Sequence, residues 1–238
     1  MGSARVIQYS GAMTHPLTIG VDEAGRGAVL GPLVLAACAL DPQTAQGLAE
    51  RGVADSKGFG PPAQAQQRRA ELAEQIRQRA PWYRLAVVSP GQVDAAVRQH
   101  GLNVLERRVA ADLLRDAPAP AHVVLDGVKL FSPLAARLPS AEARNRAESH
   151  CLAVAAASIL AKHERDCRFA EIRLRYEDAF GPIRGEGYPN AATKRFLQAY
   201  LAAHADLPAE TRRSWSWEPV MQVAGPEERG EPPGFDFD

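Results

Sequence analysis

The sequence predicts an α/β layer fold, a sheet of short buried strands flanked by helices, and three observations carry that reading. Short apolar runs bounded by Gly and Pro alternate with longer, breaker-free stretches of mixed polar and aliphatic residues. Two of these runs, Leu17 to Val21 and His122 to Leu125, end on an acid, Asp22 and Asp126. A chain of 238 residues with 46% hydrophobic and 24% charged side chains is also long enough, and ordinary enough in composition, to bury a core.

The elements follow in order. Residues 1–16 show neither strand nor helix period and end at Pro16, so they read as a loose arm. Leu17 to Val21 and Leu33 to Leu40, the second starting just after Pro32, read as buried strands with GRGAVLGP between them. Ala63 to Arg79 holds Gln, Arg, Glu and Ala without a breaker, a helix with an exposed polar face. Arg84 to Val88 is a third strand and His122 to Leu125 a fourth, with helices at about 92–99 and 103–115 between them. A long helical pattern runs from Leu152 to Asp178 and a shorter one from Ala191 to Ala203. Residues 218–238 are rich in Pro, Gly and acid and are expected to be a disordered acidic tail, leaving one domain over 17–217. No internal repeat interrupts this order.

Composition narrows the function classes. Three cysteines with no C-x-x-C spacing cannot staple a chain of this length, which fits a reducing, cytoplasmic compartment. No apolar stretch approaches the roughly 18 residues of a membrane helix, and the first residues lack the apolar segment of a signal peptide, so no membrane partner is expected. Zero net charge hides an asymmetry: residues 1–217 carry 27 of the 28 basic and 22 of the 28 acidic side chains, a net of +5. A mildly basic body suits a phosphate backbone, and it suits many enzymes without a polyanionic ligand equally well.

The chemistry concentrates at strand ends. Asp22 and Glu23 close the first strand and run into Ala24-Gly25-Arg26-Gly27, while Asp126 closes the fourth and is followed by Gly127. Open α/β sheets bind ligands beyond the carboxyl ends of their strands. Carboxylates delivered there by two strands form an oxygen-ligand site of the kind that hard divalent ions prefer. The alternative is that each acid caps the following turn. That alternative is weaker for adjacent acids at a buried strand end, since buried charge needs a partner. Glu23 points away from Asp22 unless the strand bends. Gly25-Arg26-Gly27 lets backbone approach a ligand closely and offers a forked donor to phosphate. The dinucleotide-loop pattern fails at Leu30, no Walker sequence or G-x-S-x-G occurs, and the six histidines lack zinc spacing.

These strings together resemble ribonuclease HII: GVDEAGRGAVLGPLVLAA, ADSK (Ala54 to Lys57), GLNVLE (Gly101 to Glu106), VLDG (Val124 to Gly127), AAASILAKHERD (Ala155 to Asp166), GYP (Gly187 to Pro189) and RRSW (Arg212 to Trp215). The match runs in order from Ile19 to Trp217. The resemblance implies a ribonuclease-H-like fold: a mixed central sheet flanked by helices, with a helical C-terminal region. It implies endonucleolytic cleavage of RNA in RNA/DNA hybrids and cleavage 5′ to a ribonucleotide embedded in duplex DNA. Asp22, Glu23 and Asp126 match three of the family's four metal-binding carboxylates. The fourth is an Asp in most members and Glu148 here, one methylene longer, with Asp166 a structural or outer acid. Two ions, Mg²⁺ or Mn²⁺, are implied as cofactors.

Gly25, Arg26 and Gly27 would sense the 2′-hydroxyl, the group that marks RNA. Tyr188 would stack under the sugar at the RNA-to-DNA step, and Lys57 and Lys162 would contact phosphates. Without the resemblance, Tyr188 reads as a surface tyrosine at a Gly-Pro turn. Trp215 and Trp217 beside Arg212 and Arg213 suggest either base stacking or the packing of an edge strand. A monomer is expected. Some members bind the sliding clamp through a terminal peptide, whereas GFDFD here lacks the usual Gln. Two rival readings stand: a ribonuclease-HIII-like enzyme that cuts hybrids but not single ribonucleotides, and a non-catalytic hybrid-binding module.

Overall fold

A computed structural model of the chain describes residues 16–53, 62–99, 101–120 and 122–223. Five strands, β1 (Thr18–Ala24), β2 (Leu33–Leu40), β3 (Trp82–Val88), β4 (His122–Asp126) and β5 (Ala141–Arg144), form one mixed sheet in the order β3-β2-β1-β4-β5. The helices are α1 (Pro42–Ala49), α2 (Pro62–Arg79), α3 (Pro90–Gln99), α4 (Leu102–Leu114), α5 (Val128–Ala135), α6 (Leu152–Phe180), α7 (Ala191–His204) and α8 (Glu218–Met221). The α/β layer class expected from the sequence is the one observed.

The described residues cluster into two compact units. The first lies within Met1–Ala24, Leu35–Ala86 and Glu106–His163, the second within Gly25–Val34, Val87–Leu105 and Glu164–Asp238.

In the first unit, β4 pairs in parallel with both neighbours, Thr18 to Val21 facing His122 to Leu125 and Val123 to Asp126 facing Ala141 to Arg144. All eight residues of β2 are buried, as an interior strand with both faces covered requires. The start of α6 lies against β1. A Cβ on Gly20 would stand 2.1 Å from the Val154 backbone nitrogen and 2.2 Å from the Ala153 carbonyl carbon, so only glycine permits the approach. The buried Ala153, Ala155, Ala156 and Ala157 keep the helix slim on this side.

Helices α1 and α5 and strand β5 lie outside the sequence expectation. The α1 helix starts at Asp41, whose carboxylate accepts hydrogen bonds from the Thr44 N–H at 2.9 Å and the Thr44 hydroxyl at 2.7 Å, with proline next in the first turn. The α5 helix carries Pro133 inside it, and β5 is four residues without alternation whose strand state comes from pairing with β4.

In the second unit the C-terminal half of α6 packs on α7 through Tyr176, Phe180, Phe196 and Tyr200, with ring centroids 5.3 to 6.2 Å apart. Asn190 caps α7 by accepting from the Ala192 and Thr193 N–H groups, both at 3.0 Å. The first residues of the stretch expected to be a disordered acidic tail are helical. Glu218–Met221 form α8, because Pro219 suits a first helical turn and Val220 is fully buried. Residues 1–15 of the N-terminal arm and 224–238 of the tail, GFDFD included, lie outside the described residues.

Candidate functional site

The first unit brings the carboxylates together by strand register. Val21 faces Leu125 across a parallel pair, and one step further along each strand come Asp22 and Asp126. Asp22 is only 6% exposed, and its Oδ1 accepts the Glu23 N–H at 2.8 Å. Burial pushes the Asp22 carboxyl from 3.8 up to about 6, and the nearby Asp126 charge pushes the same way. The Ser158 hydroxyl, the Lys162 ammonium and the Glu23 amide favour the charged form and oppose that rise. Ser158 and Lys162 are four residues apart and therefore share one face of α6. The close approach at Gly20 sets that face against the end of β1.

Asp126 in turn organises the segment that carries Glu148. Its Oδ1 accepts the Ala147 N–H at 2.8 Å, tying the 3-10 turn Ala147–Ser149 to the end of β4. Gly127, at φ 103°, donates to the Arg144 carbonyl at 2.7 Å, and Val128 N–H donates to the Asn145 side chain at 2.9 Å. Glu148 follows Ala147 directly in this turn. Glu23 and Glu148 each hold their Oε2 buried without a hydrogen bond, while both side chains make other interactions.

A divalent cation fits this arrangement as an open platform. The potential donors are all carboxylate oxygens, and two of them, on Asp22 and Asp126, repel each other in a buried setting that a cation would relieve. Among the described residues no three His, Cys, Asp or Glu side chains form a ready-made cage.

The second unit holds the remaining expected residues. Gly25 takes φ 83°, and a Cβ there would collide with the Arg165 side chain at 2.2 Å and the Pro32 carbonyl at 2.8 Å. The loop is held from beneath by Arg212, which is fully buried. Its guanidinium donates to the carbonyls of Gly25 at 2.7 Å, Arg26 at 2.9 Å and Gly31 at 3.1 Å, and stacks on Trp215 at 4.9 Å. Arg26 itself donates to Asn103. Tyr188 ends a turn with positive φ at Gly185, Glu186 and Gly187, and the Gly187 carbonyl accepts from the Val29 and Leu30 N–H groups at 2.9 and 3.0 Å.

Lys57, with the rest of ADSK, lies outside the described residues. Asp166 sits in the second unit and is buried. Trp215, 3% exposed, is a packing residue, which removes the base-stacking alternative for it. It lies in a turn, not in the edge strand expected, since only an isolated bridge between Leu30 and Thr211 forms there.

Sequence reading missed Ser158, Arg165 and Arg212. Ser158 carried a usable signal, four residues before Lys162 on a helix. The two arginines fall within the strings AAASILAKHERD and RRSW, but the groups that bury them are distant in sequence, so those strings do not show that Arg165 and Arg212 are buried.

The Ribonuclease HII family model matches residues 19–217 of the chain. The ribonuclease HII of Thermococcus sibiricus is 35% identical over 207 residues, covering 82% of this chain and 87% of that protein. The crystal structure of ribonuclease H2 from Pyrococcus horikoshii OT3 is similar with a TM-score of 0.74 at 30% identity, over 87% of this chain and 97% of that one. An Archaeoglobus fulgidus RNase HII, solved in complex with PCNA, is similar with a TM-score of 0.71 at 29% identity, over 84% of this chain and 95% of that one.

Proposed function

The chain belongs to the ribonuclease HII family and is a ribonuclease H hydrolase, and from that premise we propose that it cuts RNA/DNA hybrids and also cleaves 5′ to single ribonucleotides in duplex DNA. The observation that supports a carboxylate-based hydrolysis is the buried Asp22 beside the half-buried Asp126 at the ends of neighbouring parallel strands, with the Asp22 carboxyl raised to about 6.

In this reading Asp22 and Asp126 are the central ligands for Mg²⁺ or Mn²⁺, and Glu23 and Glu148 complete the set. When bound, two such ions would supply an activated water and charge stabilisation for the leaving 3′-oxygen. Lys162 offsets the negative charge beside Asp22 and offers a phosphate contact. The Gly25-Arg26-Gly27 backbone, fixed by Arg212, reads the 2′-hydroxyl, and Tyr188 stacks at the sugar of the RNA-to-DNA step. Lys57 is assigned a phosphate contact through the family resemblance alone.

Glu148, where most members carry Asp, favours a second reading in which hybrids are cut and single ribonucleotides are not. The test uses a labelled DNA duplex with one ribonucleotide beside a continuous hybrid, each with Mg²⁺, Mn²⁺ or chelator. A metal-dependent cut 5′ to the lone ribonucleotide is expected. Cleavage of the hybrid alone establishes the second reading, and binding without cleavage of either overturns both. The sliding clamp is a further partner to test with the full chain, prompted by the A. fulgidus relative.

A further inference from the structure

Arg165 has no assigned role, yet it sits among residues that do. It lies on α6 in the second unit and is 3% exposed. One side of its guanidinium meets Gly25: a Cβ added to that glycine would stand 2.2 Å from Arg165 Nε and 2.5 Å from its Cδ. On another side the guanidinium carbon lies 4.8 Å from the Tyr188 ring centroid and 5.9 Å from that of Phe169. Its Nη2 donates to the Glu186 carbonyl at 2.6 Å, two residues before Tyr188 and at a non-glycine position with φ 53°. One side chain thus touches both the glycine loop and the strained turn that ends on the tyrosine.

The rest of the geometry argues against simple core filling. Arg165 Nε is buried and has no hydrogen-bond partner. A buried donor left unmet is unfavourable, and an aliphatic side chain filling the same space would remove the penalty. A planar, stackable group is what the place requires, because it must lie flat between a backbone and a ring.

We infer that Arg165 is a positioning residue that sets the spacing between the Gly25 backbone and the Tyr188 ring, and that this spacing determines selectivity for an isolated ribonucleotide over a continuous hybrid. The inference rests on the proposed roles of Gly25 and Tyr188. A lone ribonucleotide is followed at once by a deoxyribose, so the 2′-hydroxyl reader and the stacking ring must both engage in one register. A continuous hybrid offers many registers and tolerates a looser pair.

The experiment compares Arg165→Lys with the parent on both substrates, in the full chain, with folding followed by thermal melting. Arg165→Lys keeps the charge and loses the plane. It is expected to lower kcat on the single-ribonucleotide duplex by about tenfold more than on the hybrid, with KM little changed, the pattern of a misplaced reacting group. In a Tyr188→Ala background the same change is expected to leave the substrate ratio unaltered, because Arg165 acts through that ring. Equal loss on both substrates, or an independent further loss of selectivity in the Tyr188→Ala background, overturns the inference. If the Lys variant does not fold, Arg165→Met is measured in its place, and failure of both to fold makes Arg165 a purely structural residue and overturns it as well. A parent that cuts no lone ribonucleotide, or a Tyr188→Ala variant with unchanged selectivity, overturns the proposed function and this inference together. Selectivity lost in Tyr188→Ala but kept in Arg165→Lys overturns the inference alone.

Discussion

At the scale of single residues, Asp22 carries the largest electrostatic burden of the site. Its burial, with the Asp126 charge adding to it, pushes its carboxyl from 3.8 up to about 6. Asp22→Asn is expected to abolish turnover while leaving hybrid affinity within about threefold of the parent, since it removes a ligand and no phosphate contact. Steady-state rates together with a binding titration check this, and unchanged turnover would remove Asp22 from the mechanism. Gly20 tests the scaffold behind it. Gly20→Ala places a methyl into the α6 backbone and is expected to destabilise the fold by about 1–3 kcal/mol, read from the denaturant midpoint. A midpoint equal to the parent's would show that α6 can move off β1. Asp22, Glu23 and Asp126 were legible because acids at the ends of apolar strands are unusual in sequence. The roles of Arg165 and Arg212 were not, because an arginine buried by distant carbonyls and rings looks the same in sequence as one in solvent.

At the scale of elements, helix α1 shows what local chemistry can and cannot announce. Burial opposes ionisation of Asp41, yet the Thr44 amide and hydroxyl and the Gln43 amide outweigh it and hold the carboxyl below its ordinary 3.8. A lowered folded-state value means that the cap's contribution is complete above the unfolded value and is lost as pH falls through the folded one. Asp41→Ala is therefore expected to lower stability by about 1 kcal/mol at pH 7, or about 2–4 °C in melting temperature. The gap between variant and parent should close below about pH 4. Thermal melts at pH 7 and pH 3 check both statements, and a gap independent of pH would assign the effect to packing. The Asp-Pro start of α1 was present in the sequence and the helix went unread, because eight residues give too little periodicity. Strand β5 had no signal of its own, since its state is supplied by the neighbouring β4. The long α6 and the wholly apolar β2 were legible because length and continuous hydrophobicity outweigh local ambiguity.

At the scale of the whole molecule, the proposed cation site would link folding to cation binding. A cation that binds only the folded chain stabilises it by mass action, and the repelling pair Asp22 and Asp126 is where this chain gains most from one. Millimolar Mn²⁺ is expected to raise the melting temperature of the parent above its value in chelator by about 2–4 °C, and to leave Asp22→Asn nearly unmoved. The same shift in both proteins would place the cation elsewhere. The sequence by itself determined the α/β class, the order of the main strands and helices, and the strand-end acids, because each is written in periodicity or in a local break of it. Only the tertiary structure decided that Asp22 and Asp126 stand side by side, that the Ala147 amide ties its turn to Asp126, and that Arg212 and Arg165 pack on the glycine loop. Register and burial arise from contacts between residues far apart in the chain, and no local pattern encodes which partner a side chain will meet.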